Sequence, residues 1–237
     1  MKHLKWMTPF IMILMLLLVS CSNDVSEDAT TDDGANEEPK TEASQSSEDN
    51  EEKPDDDSVV TIDGDDMTYD DLAFYTLMDK IKIELNRAED EKNLTGDELT
   101  DKNAYWDEQI AQYENVNIGL QSMIEIKSMS LLAEEKNYFV PDEKLDEKVD
   151  DFEQKTDGNE AVGQLIADYG EKDYQYHLRE YVRQSSLRDR VAEDLSDDIA
   201  EENPDASELE RNFLLNDEFE DLFVDQLASL EVTIHLE

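Results

Sequence analysis

One side chain in this 237-residue chain offers thiol chemistry, Cys21, and imidazole occurs three times, at His3, His177 and His235. A lone thiol can act as nucleophile, metal ligand or acyl acceptor, but it forms no disulfide within one molecule. His177 falls between Tyr176 and Leu178 in an amphipathic run, where a structural role outweighs that of a general base. His235 sits beside Ile234 in an alternating segment and is expected to face solvent. Carboxylates are the abundant groups, 64 Asp and Glu against 20 Lys and Arg, so close acidic pairs arise by number alone. Asp63-Gly64-Asp65-Asp66 has some oxygen donors of a calcium loop but lacks its twelve-residue frame and closing glutamate. The G-x-S-x-G, H-E-x-x-H, P-loop and G-x-G-x-x-G patterns are absent. No catalytic residue, metal set or cofactor is expected, and Cys21 is the one residue whose chemistry can be assigned.

The residues before Cys21 determine what its thiol does. Lys2 and Lys5 precede an uninterrupted apolar run over residues 9–19, about half of the ~20 apolar residues that span a bilayer. A basic start, an apolar middle and the small Ser20 make the three parts of an export signal. Leu18-Val19-Ser20-Cys21 resembles the bacterial lipobox. That resemblance implies cleavage between Ser20 and Cys21, loss of residues 1–20 with His3, and a diacylglyceryl thioether on Cys21. Two long acyl chains of the palmitate type hold stably in a membrane where one does not. The implied location is the outer face of the cell membrane, with the lipid as the membrane partner.

Residues 21–58 read as the lipidated cysteine followed by a disordered tether. Residues 22–58 contain no Leu, Ile, Phe, Met, Tyr or Trp and carry 15 acidic residues against Lys40 and Lys53. Such a stretch cannot bury enough apolar surface to offset its ordering entropy, and like charges extend it. Residues 59–237 suffice for one domain, with 49 acidic and 16 basic side chains, net −33. Phosphates repel such a surface, which excludes nucleic acid as a partner. The carboxylates are spread over every segment, as in a solvated surface of a halophilic or alkali-tolerant protein. Screening length falls to ~3 Å in 1 M salt, so the melting temperature should rise between dilute buffer and molar NaCl. Equal melting temperatures in the two would refute the halophilic reading.

The elements follow from local pattern. Val59-Val60-Thr61-Ile62 predicts a strand, Asp63-Gly64 a hairpin turn, and residues 65–67 a return strand. Thr68 with Asp71 predicts a capping box opening a helix with Leu72, Tyr75, Met78, Ile81 and Leu85 on one stripe. Residues 93–103 read as a polar loop. A long spine helix is predicted from Ala104, with Trp106, Ile110, Tyr113, Val116, Leu120 and Ile124 on one face. It becomes apolar on several sides near Met129, as a helix surrounded by others does. Val140-Pro141 forces extended backbone before a short helix carrying Leu145, Val149 and Phe152. A helix with Ala161, Leu165 and Tyr169 ends at Gly170, and a longer one carries Tyr174, Leu178, Tyr181, Val182, Leu187, Val191 and Leu195. Asn203-Pro204 breaks the chain, Ser207 with Glu210 restarts it, and Val232, Ile234 and Leu236 predict a closing strand paired with residues 59–62.

This order of elements is similar to the N-terminal chaperone domain of the SurA/PrsA class of extracytoplasmic foldases. VVTIDGDDMTYDDLAFY resembles the family's opening, LQSMIEIKSMSLLAEEKNYFVPDEKLDEKVDDF its central segment, and LIADYGEKDYQYHLREYVRQSSL the helices that follow. The resemblance implies a mainly α, multi-helix domain over 59–237 with a small antiparallel sheet joining its terminal strands. It further implies ATP-independent binding of unfolded or exported polypeptides outside the cytoplasm. Full-length members carry a parvulin prolyl isomerase domain before the closing helix, and only residues 196–206 are available for it here, so no enzyme activity is expected. Candidate client-binding residues are Tyr105, Trp106, Tyr113, Tyr138, Phe139, Tyr174, Tyr176 and Tyr181, because amphipathic rings suit adaptable apolar surfaces. Each could equally fill the helical core. The extreme charge favours basic client segments over acidic ones. The alternative function is a scaffold lipoprotein that recognises one folded partner.

Overall fold

The computed structural model describes residues 57–236. Ser20, Cys21 and the segments read as an export signal and a tether lie, up to residue 56, outside the described residues. Ser58, read above as the end of the tether, instead opens the first strand. Strand β1 (Ser58–Ile62) turns at Asp63 and Gly64, both with positive φ (53° and 87°), into β2 (Asp65–Thr68). That pair of left-handed residues is the two-residue turn whose twist matches antiparallel strands, which is why Asp-Gly stands there. A register irregularity between Ser58 and Val60 lets consecutive Val59 and Val60 both be buried, where strict alternation would expose one.

Helix α1 (Tyr69–Asn93) starts at the expected capping box: Asp71 N–H donates to the Thr68 hydroxyl, and the Thr68 N–H donates to the Asp71 carboxylate at 2.8 Å. Its predicted stripe is buried from Leu72 to Ile81, and Phe74 and Leu77 widen it. The segment read as a loop is largely helical. Only Leu94 to Gly96 separate α1 from α2 (Asp97–Gln112), which lies along the distal part of α1. Asp97 and Glu98 in its first turn favour the start electrostatically. Trp106 is the one buried residue of α2, and its indole N–H donates to Asp90 at 2.9 Å.

The predicted single spine helix is two. After α2 the chain turns through Tyr113 to Asn115, and the Asn115 side chain accepts from Asn117 N–H to begin α3 (Val116–Glu135). Helix α3 does act as the spine, packed by α1 on one side and by two later helices on others. Its buried residues include Leu120, Met123, Ile126, Met129 and Ala133. Gly119 stands where α3 crosses α1, against Leu72 and Thr76.

Asn137 in the left-handed region ends that segment, and Val140-Pro141 leads into α4 (Asp142–Thr156) as expected. Helices α5 (Glu160–Tyr169), α6 (Glu171–Glu202) and α7 (Glu208–Ser229) follow. The long α6 runs against α3, α4 and α7, and Arg188 on it pairs with Glu125 of α3 at 2.8 Å while its guanidinium lies over Phe219 of α7. Strand β3 (Val232–Ile234) pairs antiparallel with β1, giving the order β2-β1-β3 and joining the domain's two ends. The outward facing of His235 is reversed. Its ring is half-buried and lies 2.8 Å from the Thr61 hydroxyl, while Ile234 is exposed. The bond to Thr61, with the His235 N–H donating to the Val59 carbonyl at 2.9 Å, holds the ring against β1 at the end of an edge strand. The chain is thus mainly α with a small antiparallel sheet, and among the described residues no helix is long and apolar enough to cross a membrane.

Candidate functional site

A groove of about 650 Å³ is bounded by the end of α4, the α4–α5 turn, α5 and the start of α6. Two glycine turns hang α5 in place. Gly158 (φ 75°) reverses the chain after α4, and Asn159 then caps α5 by accepting from Val162 N–H at 3.1 Å. Gly170 (φ 116°) ends α5 and opens α6, and a side chain there would strain the backbone. Val162, fully buried, fastens this ten-residue helix to the body.

Behind the groove lies a cluster of rings around Phe74 of α1. Tyr169 at the end of α5 packs on it edge-on at 5.7 Å, and Tyr174 and Tyr181 of α6 lie at 6.0 and 5.8 Å. Tyr174 is only 2% exposed, lines the groove, and its hydroxyl has no hydrogen-bond partner. Burial, and then the charge of Glu153, push that hydroxyl up to about 12, so it stays a proton donor. Glu153 itself accepts from Gln175 at 2.9 Å. On the outer side of α5, Gly163 and Ala167 are exposed, and nothing lies within 4 Å of where a Gly163 side chain would start. The groove therefore has an apolar floor, a buried unpartnered donor, and acidic walls from Asp150, Glu153, Asp157 and Glu171.

A smaller cleft of about 320 Å³ lies between the β1–β2 hairpin, α1 and α6. There Lys127 reaches Asp65 at 2.7 Å, and His177 sits between Asp70 (3.0 Å) and Asp71 (3.6 Å). The Tyr75 hydroxyl donates to Gln184, whose amide donates to Glu180 at 2.6 Å. Burial raises Glu180, but hydrogen bonds from Arg183 and Gln184 outweigh it and hold the carboxyl below its usual range. The Lys127–Asp65 pair ties α3 to the hairpin, and the His177 and Tyr75 contacts tie α6 to α1. Among the described residues no group of three or more His, Cys, Asp or Glu is placed to hold a metal ion.

The eight aromatic candidates divide instead of lining one cradle. Trp106, Tyr174 and Tyr181 are buried, because each lies on the core-facing stripe of its helix. Tyr105 packs on Trp106 beside Lys102, and the partly buried Tyr113 feels the charges of Asp79 and Lys82. The Tyr138 hydroxyl donates to Asp194. Phe139 and Tyr176 are exposed, at 79% and 80%, and neither lines the groove. Of the set, only Tyr174 belongs to the groove. Sequence reasoning missed Val162, Gly163, Ile166 and the acidic wall. The one available signal was the small pair Gly163 and Ala167, four residues apart on a short helix bracketed by glycines. Comparison with protein-family models, curated proteins and solved structures finds nothing that matches this chain.

Proposed function

We propose that this protein is a membrane-anchored, non-catalytic and ATP-independent binder of unfolded or exported polypeptides, held outside the cytoplasm by the lipid on Cys21. The observation that carries this reading is the groove beside α5, where an apolar floor and a buried donor without an acceptor await an occupant. Clefts with an apolar lining and a few convergent polar groups are the usual form of a binding site. The likeness to the SurA/PrsA chaperone domain points the same way. Only residues 203–207 join α6 to α7, which leaves no room for a parvulin domain at that junction.

The test is suppression of aggregation for several unrelated unfolded proteins, run beside a prolyl isomerase assay. Gly163→Trp is the informative variant, because it fills the groove from an open helical position. It should leave the melting temperature unchanged or slightly higher, since glycine is the poorer helix former by several tenths of a kcal/mol. Client protection should then require about tenfold more protein, as loss of ~1.4 kcal/mol of binding would demand. Undiminished protection by this variant would refute the groove as the site. A folded-partner scaffold is favoured by a different observation, the exposed Leu209 and Phe213 four residues apart at the start of α7. If the wild type protects no client at all, the chaperone reading falls and that face becomes the place to look.

A further inference from the structure

We infer that the groove selects extended polypeptide segments in which an apolar residue is flanked by lysine or arginine, with a main-chain carbonyl of the segment accepting from the Tyr174 hydroxyl. This rests on the polypeptide-binding reading and names the class of sequence that the site takes. Three features of the groove each specify part of the ligand.

The first is the Tyr174 hydroxyl, buried and without a partner. A buried polar group left unpaired is costly, so the missing partner is an acceptor. Being the neighbour of Glu153, it is poorly placed to receive an anionic acceptor, and a neutral carbonyl fits. The second feature is charge. The groove is lined by Asp150, Glu153, Asp157 and Glu171 and by no lysine or arginine. Glu153 is engaged with Gln175, but Asp150, Asp157 and Glu171 make no ion pair among the described residues. Carboxylates gathered around a concave surface concentrate their field there and attract cations. The third is the apolar lining, where Val162, Ile166 and Ala167 accompany Gly163, whose side-chain position is open. That space takes an apolar side chain, which a simple polyamine lacks.

Fluorescence anisotropy on the full-length protein tests the assignment with three labelled peptides: one alternating Leu and Lys, one with Glu in place of Lys, and one with Ser in place of Leu. The Leu/Lys peptide should bind at least tenfold tighter than either of the others, and rising salt should weaken it. Tyr174→Phe keeps the ring and removes the donor, and should raise its Kd about fivefold, the ~1 kcal/mol of one net hydrogen bond. The pair Asp150→Asn and Glu171→Gln should bring the Leu/Lys and Leu/Glu peptides close to equal affinity. Equal binding of the Ser/Lys peptide would mean bare charge attraction and overturn the inference. So would client protection that Gly163→Trp abolishes but peptide charge does not affect, which would leave the polypeptide-binding reading standing. If the wild type neither protects clients nor binds any peptide, both fall together.

Discussion

Phe74→Ala should lower the free energy of unfolding by about 3–5 kcal/mol, the range found for deleting a fully buried aromatic side chain. Phe74 is 1% exposed and touches rings from two other elements: Tyr169 of α5, and Tyr174, His177 and Tyr181 of α6. A hole at that point cannot close by moving one neighbour, because α1, α5 and α6 all converge on it. Domains of this size are stable by only ~5–15 kcal/mol, so the loss is a large share of the total. Urea denaturation measures it, and Phe139→Ala serves as the contrast. Phe139 is exposed, and its removal should change stability by less than ~0.5 kcal/mol. Binding should suffer as well as folding. Tyr174 leans on Phe74, so the alanine variant should protect clients poorly even where most of it remains folded. A loss below ~1 kcal/mol would mean that the ring cluster does not hold the groove to the body.

Gly119→Val should destabilise by about 2–3 kcal/mol, although glycine is an unfavourable residue inside a helix. Two terms compete. Replacing a helical glycine gains up to ~1 kcal/mol in propensity, less for a β-branched residue. Against this, any Cβ at position 119 would collide with the Thr76 hydroxyl and lie 3.4 Å from Leu72 Cδ1. Thr76 is β-branched and stiff at χ1, so it cannot simply rotate away. Overpacking of this kind typically costs 1–3 kcal/mol, and the valine methyls extend the clash. Gly119→Ala should be milder, and combining it with Thr76→Ala should recover most of the loss. A double-mutant cycle would then show coupling of at least ~1 kcal/mol between the two positions. Strict additivity would show that α1 and α3 separate slightly and relieve the contact by another route.

Signals that act over a few residues were legible in the sequence. Thr68 with Asp71, Asp63-Gly64, Val140-Pro141 and Ser207 each stand at the boundary they predicted, because capping and turn chemistry depend on near neighbours alone. The first two turns of α2, residues 97–103, were hidden because Leu99 is their one apolar residue, so they show no apolar periodicity. The turn at Tyr113 to Asn115 was hidden for the opposite reason: apolar residues at three- and four-residue spacing continue across it from Trp106 to Leu120, and only Asn115 marks the break. The facing of the α6 aromatics was within reach. Tyr174, Leu178 and Tyr181 share a helical stripe with Val182, whereas Tyr176 falls on the opposite side. The groove was not within reach, since it depends on how α4, α5 and α6 are placed against one another, and no local pattern encodes that.

The central position of β1 bears on the order in which the molecule can assemble. Its β2 edge is closed by a two-residue turn, but its other edge waits for β3, and Thr61 and His235 are 174 residues apart. A chain made from its N-terminus therefore carries an open strand edge beside Val59, Val60 and Ile62 through nearly all of its synthesis. Such edges are templates for pairing with foreign strands. The helices form from nearby contacts, whereas closure of the sheet is among the most non-local events the chain must achieve, and non-local contacts slow folding. A chain cut short before Val232 keeps the sequence of all seven described helices yet leaves that margin bare, which makes the last few residues the guard against self-association of the first.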